Sequence, residues 1–145
     1  MSTRIVVSVI GAGGKMGTRV TNNLAKHPDS IDLHFCEASE AGIASIKARG
    51  YSVVTAEEAV PKSDIVVLAV PDVIIKKVSV GIVALMKPGA FLVNTARGGL
   101  VDDRLALARD AHRAHRLGGV DGCRSDGVVG HGGASFPFVR KPPPL

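Results

Sequence analysis

The chain has 145 residues, 46% of them hydrophobic and 3% aromatic, with no Trp and a formal net charge of +5. That length suits one domain with a buried core, and its 18 Lys and Arg residues are dispersed, without a concentrated basic patch. Scarce aromatics argue against a base-stacking platform, and Pro71, Asp72, Lys76 and Lys77 interrupt the apolar run 65–86, so neither nucleic acid nor a membrane is an expected partner.

Residues Ile5–Ile10 are almost all apolar and mostly β-branched, which suits a strand covered on both faces. Six residues are too short for the apolar core of a signal peptide. The turn Gly11-Ala12-Gly13-Gly14-Lys15-Met16-Gly17 follows, and residues 15–26 read as a helix. A helix start after a glycine turn offers free N–H groups and a positive dipole end, an anion site fitted to the pyrophosphate of a dinucleotide. The spacing is G-x-G-x-x-x-G, with the third glycine one residue later than in the usual fingerprint.

His27-Pro-Asp-Ser30 marks a turn, and the alternation in Ile31–Cys36 reads as a second strand. It runs into Glu37, twenty residues after Gly17. An acid at this strand end accepts hydrogen bonds from the adenosine ribose hydroxyls and repels a 2′-phosphate, so NAD is the expected cofactor ahead of NADP. The plainer reading of Glu37 is a surface turn residue.

Residues 39–49 read as a helix ended by Gly50, and 51–55 as a short third strand. Thr55-Ala-Glu-Glu58 has capping-box spacing for a brief helix, closed by residues 61–64. A continuous apolar strand over 65–70 stops at Pro71-Asp72, a helix follows over about 73–86, Lys87-Pro-Gly89 breaks the chain, and 90–94 is the next strand. Beyond it, 101–115 is an Arg-rich helix pattern and 116–122 the approach to a last short strand.

This alternation predicts an α/β fold, a doubly wound parallel sheet of Rossmann type, with ligands bound beyond the carboxyl ends of the strands. That edge collects the loop 11–17, Glu37, Val70, Pro71, Asp72, Asn94, Thr95, Ala96 and Arg97. A guanidinium at Arg97 can hold a substrate carboxylate in two-point geometry; its other reading is an ion pair with Asp102 or Asp103. Cys36 and Cys123 read as buried thiols of a reduced, cytoplasmic protein, and no metal-ligand set is expected. Residues 1–123 are expected to form the dinucleotide-binding domain. The Gly/Pro-rich 124–145 is expected to be an irregular C-terminal tail, loop or disordered.

Residues 87–102, Lys-Pro-Gly-Ala-Phe-Leu-Val-Asn-Thr-Ala-Arg-Gly-Gly-Leu-Val-Asp, together with Leu117-Gly-Gly-Val-Asp121, strongly resemble the nucleotide-binding domain of D-isomer-specific 2-hydroxyacid dehydrogenases. The resemblance implies that Arg97 orients the substrate carboxylate and polarises its carbonyl, and that Asp121 lies near the nicotinamide carboxamide. It implies a small hydroxy acid or keto acid as substrate. The loop 9–17 with Asp64-Ile-Val-Val-Leu-Ala-Val-Pro-Asp72 is more similar to the β-hydroxyacid and 6-phosphogluconate dehydrogenase superfamily, whose catalytic lysine lies beyond its nucleotide domain. Basic residue usage also shifts, from seven Lys and three Arg up to Ala96 to one Lys and seven Arg from Arg97 onward. A truncated enzyme, a chimera and a reading-frame change near residue 94 would each give that pattern.

The 2-hydroxyacid dehydrogenases also use a glutamate and a histidine as acid/base machinery. Their proline–histidine block is echoed at Gly130-His131-Gly-Gly-Ala-Ser135, with Gly in place of Pro, and no Glu follows Glu58. Arg97 and His131 are thus the candidate catalytic residues. Two classes stay open: an NAD-dependent oxidoreductase of hydroxy acids, or its coenzyme domain; and a nucleotide-binding module without catalysis. A homodimer is one assembly open to either.

Overall fold

A computed structural model of the chain describes residues 3–95 and, for the backbone, 138–140. Strand β1, Ile5–Ile10, leads through the glycine turn into helix α1, Lys15–Leu24. Strand β2, Ile31–Cys36, is followed by α2, Glu40–Ala48, and by α3, Ala56–Ala59, which runs into a single 3-10 turn at Val60–Lys62. Strand β3, Ile65–Leu68, helix α4, Asp72–Leu85, and strand β4, Phe91–Asn94, follow, and β5 is Phe138–Arg140.

The sheet order is β2-β1-β3-β4-β5. The first four strands are parallel, as their helical crossovers require, and β5 pairs antiparallel with β4. The chain steps from β1 outward to β2, then crosses back over β1 to β3 and on to β4, so the winding reverses and the switch point falls between β1 and β3. In doubly wound sheets that reversal is where ligands bind.

Strand alternation sorts the core into two layers. Val7, Val9, Phe35, Val67 and Ala69 pack with Ala12 and Ile46, joined by partly buried Val20 and Leu24 of α1. Ile10, Cys36, Val66, Leu68 and Leu92 pack on the other face with Ile75, Ile82 and Met86, along and just after α4. Buried Ser8 lies on β1 between apolar neighbours; its hydroxyl meets that of Ser63 at 2.6 Å, and Ser63 Oγ donates to the Ala59 carbonyl at 2.8 Å. A buried hydroxyl so paired keeps its hydrogen bonds within the apolar layer.

Two expectations meet a different outcome. The third strand over 51–55 reduces to a single parallel bridge, Phe35 to Val53. Its flanks are taken for other uses: Tyr51 stacks on Phe35 with centroids 4.4 Å apart, and Thr55 is already the N-cap position of α3. Thr55 sits there without a side-chain capping bond, so the spacing located the helix but not the bond. Within the segment expected to be irregular, three residues form β5, because β4 offers an open edge for pairing. The helix pattern over 101–115, the strand approach over 116–122 and Cys123 lie outside the described residues.

At the amino ends of the strands Asp64 clips β1 to β3. Its Oδ2 accepts from the Val6 amide at 2.9 Å, and Lys87 Nζ reaches Oδ1 at 2.7 Å and the Lys62 carbonyl at 3.2 Å. The Lys87 hydrogen bond, then the Val6 amide, hold the Asp64 carboxyl below the ordinary carboxylate range. A depressed folded value stabilises the fold above the unfolded value and ceases to do so as pH falls through the folded one. Both side chains are partly solvated, so the contribution is small. Asp64→Asn is expected to lower stability by about 0.5–1 kcal/mol at pH 7. Urea titrations from neutral to acid pH should show the variant and wild-type midpoints converging below about pH 4.

Candidate functional site

Pairing register brings Ile10 level with both Cys36 and Leu68, and Leu68 level with Asn94. The carboxyl ends of the four parallel strands therefore form one edge. The glycine turn folds back at that edge. Gly11 has φ +81°, a left-handed conformation that side chains resist, and a Cβ there would run into the Ala69 carbonyl. The Gly11 and Ala12 amides both donate to the Cys36 carbonyl, at 2.9 and 3.1 Å, which ties the turn to the end of β2. Gly17 is buried, and a Cβ there would strike the Gly11 carbonyl. The late third glycine is thus a close-approach position, letting α1 lie down on the turn.

Helix α1 starts at Gly14, without a side-chain cap and without an acid in its first turn. The Gly14 amide donates to the Gly11 carbonyl and the Thr18 amide to the Gly14 carbonyl. The amides of Lys15, Met16 and Gly17 have no acceptor among the described residues. Three open amides at the positive end of a helix match a phosphate group. Lys15 and Met16 are exposed beside them.

Glu37 follows β2 and faces the turn. Its Oε2 accepts from the Gly13 amide at 3.0 Å. Its Oε1 accepts from the Ala38 amide at 2.9 Å, the Ser39 amide at 3.1 Å and Ser39 Oγ at 3.2 Å. Ser39 in turn caps α2 by accepting from the Gly42 amide at 3.1 Å. The half-buried acid is held against the glycine turn by the Gly13 amide, while its Oε1 contacts are local and exposed.

Val70, Pro71 and Asp72 continue β3 into the first turn of α4. Val70 packs against the core and stands beside Gly11, while Asp72 makes that helix start acidic. Asn94 ends β4 and is buried. Thr95 binds the end of β3 twice, its amide and its Oγ1 both donating to the Leu68 carbonyl, at 3.1 and 2.7 Å. Ala96, Arg97, Asp121 and His131 lie outside the described residues. Burial pushes the Cys36 thiol up to about 12, helped by nearby Glu57, so it packs as an apolar group and is no nucleophile. Sequence reasoning passed over Gly42; the pairing of the Cys36 carbonyl with two amides left no sequence signal either.

An aligned set of parallel strand ends, a glycine turn at the winding reversal, an open helix start and an acid after the second strand define a dinucleotide-binding domain. The description "D-isomer specific 2-hydroxyacid dehydrogenase, NAD binding domain" matches residues 3–121, and the chain belongs to that family. The match covers both the glycine-turn stretch and the stretch around Arg97. The D-apionate oxidoisomerase of Blautia hydrogenotrophica is 54% identical over 107 residues, 74% of this chain and 35% of that protein. The chain therefore spans about a third of that relative's length. A semialdehyde dehydrogenase NAD-binding protein from Cupriavidus necator, solved with calcium and NAD, superposes with TM-score 0.56 at 28% identity, over 63% of this chain and 41% of that one. Apo D-mandelate dehydrogenase of Rhodotorula graminis gives 0.57 at 27%, over 81% and 33%. NAD is the family's cofactor, and no helix among the described residues is long and apolar enough to cross a membrane.

The turn geometry separates its glycines. A Cβ on Gly14 would meet its nearest neighbour at 3.4 Å, an ordinary contact. Gly14→Ala is expected to cost under about 1 kcal/mol, whereas Gly17→Ala should cost more than about 2 kcal/mol because backbone has to move. Chemical denaturation of the two variants measures the difference; equal losses would contradict the close approach at Gly17.

Proposed function

We propose that the chain is the coenzyme domain of an oxidoreductase that takes hydride from a hydroxy acid to NAD, or returns it to the keto acid. The observation that carries this is the juxtaposition of the three open α1 amides with Glu37 across the glycine turn. In this reading the amides of Lys15, Met16 and Gly17 hold the pyrophosphate. Glu37 accepts from the adenosine ribose hydroxyls, and Val70, Pro71 and Asn94–Ala96 line the path towards the nicotinamide. Bound NAD supplies the hydride acceptor. Asp72 bounds the site on the α4 side, and Asp121 is assigned to the carboxamide.

Arg97 is assigned to the substrate carboxylate, which a planar guanidinium holds by two parallel hydrogen bonds. Thr95, two residues before it, is anchored to the Leu68 carbonyl, which supports a fixed departure point for this segment. The D-apionate oxidoisomerase relative gives the substrate class its most specific form: D-apionate is itself a carboxylate, the group Arg97 is assigned to hold. His131 stands in this reading only as an acid/base candidate, because no carboxylate beyond Glu58 accompanies it as Glu.

Calorimetric titration tests the cofactor reading. NADH is expected to bind and NADPH to bind more weakly; heat from neither, or tighter NADPH binding, would overturn it. For the substrate reading, D-apionate and simple 2-hydroxy acids are offered with NAD while absorbance of the reduced coenzyme is followed. Arg97→Met should lower kcat/KM by about 100-fold or more without weakening NADH binding. Loss of NADH binding alone in that variant would instead place Arg97 on the coenzyme.

A further inference from the structure

Gly42 occupies the third position of α2, within the first turn. Glycine in a helix is disfavoured relative to alanine, and Gly42 does not have the left-handed backbone that would require it. What it does have is a neighbour in the space of its missing side chain. A Cβ on Gly42 would stand 2.5 Å from Cδ, 2.6 Å from Cγ and 2.6 Å from Oε2 of Glu37. The Glu37 side chain lies across the bare face of Gly42 while its carboxylate reaches the Gly13 amide. Gly13 completes the arrangement, since a Cβ there would meet the Gly42 backbone. Two glycines thus let the first turn of α2 and the glycine turn touch, with the acid wedged against both.

We propose that Gly42 is a specificity-determining position: by leaving room for Glu37 against the glycine turn, it sets the preference for a dinucleotide with a free 2′-hydroxyl. The proposal rests on the reading of Glu37 as the ribose acid. It follows from sterics that a Cβ at position 42 displaces Glu37 rather than the fold. The crowded atoms belong to a flexible side chain, which swings outward, whereas the backbone of α2 stays put and gains helix propensity. Once swung away, the carboxylate neither meets the ribose hydroxyls nor opposes a 2′-phosphate.

The test is a double-mutant cycle of Glu37→Ala and Gly42→Ala in the full chain, with NADH and NADPH affinities from calorimetry and a thermal melt of each protein. Gly42→Ala is expected to melt no lower than Glu37→Ala, since both lose the Glu37 hydrogen bonds, and to cut the NADH-over-NADPH affinity ratio by about tenfold, the scale of one charge-assisted hydrogen bond. In the Glu37→Ala background the same substitution should leave the ratio unchanged. If wild type binds no NADH, the cofactor reading itself fails. If wild type prefers NADH and Gly42→Ala keeps that preference, or if its effect persists without Glu37, the Gly42 proposal falls while the cofactor reading stands. Should Gly42→Ala fail to fold, the double variant must restore the melt, since the crowding partner is gone; a double variant that also fails to fold overturns the proposal.

Discussion

The carbonyl of Cys36 is the point from which the carboxyl edge of the sheet is hung. It accepts two amides, those of Gly11 and Ala12, and so fixes the chain reversal after β1 to the end of β2. The left-handed Gly11 can turn there only because it carries no Cβ against the Ala69 carbonyl, which brings the end of β3 into the same contact. Three strand ends are thereby locked by one turn. Helix α1 then departs across Gly11 at the close approach of Gly17, and its direction follows from that contact. A buried thiol whose pKa is pushed up to about 12 is the fitting side chain for this residue, because its backbone carries the structural load while its side chain fills the layer under α4.

Three helices begin at this edge, and their starts differ in charge and satisfaction. Helix α2 is capped by Ser39, has Glu40 in its first turn and receives Glu37 beside it. Helix α4 opens with Asp72 in its first turn. Helix α1 alone of the three has neither a side-chain cap nor a first-turn acid. Of the three dipole ends, only that of α1 is left unanswered by a carboxylate, which is what the proposed pyrophosphate site requires. Glu37 belongs to both descriptions, because it answers α2 while standing next to the open start of α1. A diphosphate on α1 and a ribose at Glu37 would lie side by side, which is the order of groups in a dinucleotide.

Much of this was legible in the chain because it is local. The β-branched run Ile5–Ile10, the glycines that follow and the alternation of Ile31–Cys36 each state their own conformation, and counting to the end of β2 places Glu37 at the carboxyl edge of the sheet. The strand over 51–55 misled because its β propensity is spent elsewhere: Tyr51 stacks with Phe35, and the Arg49 guanidinium lies 5.8 Å from the Phe35 centroid and 5.4 Å from that of Tyr51. Arg49 also donates to Thr21 and Asn22 on α1, so this corner is held by side chains where strand pairing was expected. Gly42 carried no signal, since its reason is a contact with Glu37, and Glu37 reads as a ligand-facing acid without it. The edge strand β5 was equally hidden, because three residues near the end of the chain join the sheet only once β4 presents an edge.

The ion-pair clip and the proposed ligand site stand at opposite ends of the same strands. Asp64 and Lys87 secure the amino ends, where Asp64 also exchanges backbone hydrogen bonds with Val6 and Phe91. The carboxyl ends carry the glycine turn, Glu37 and Thr95. A doubly wound sheet allows this separation because parallel strands put all their carboxyl ends on one side, leaving the amino ends free for fastening. Thr95 then connects the two demands: two hydrogen bonds to the Leu68 carbonyl extend the order of β3 and β4 past the last strand residue. In the proposed reading Arg97 is assigned to a substrate carboxylate, and a guanidinium that is to meet a planar carboxylate by both nitrogens needs a fixed starting point such as Thr95.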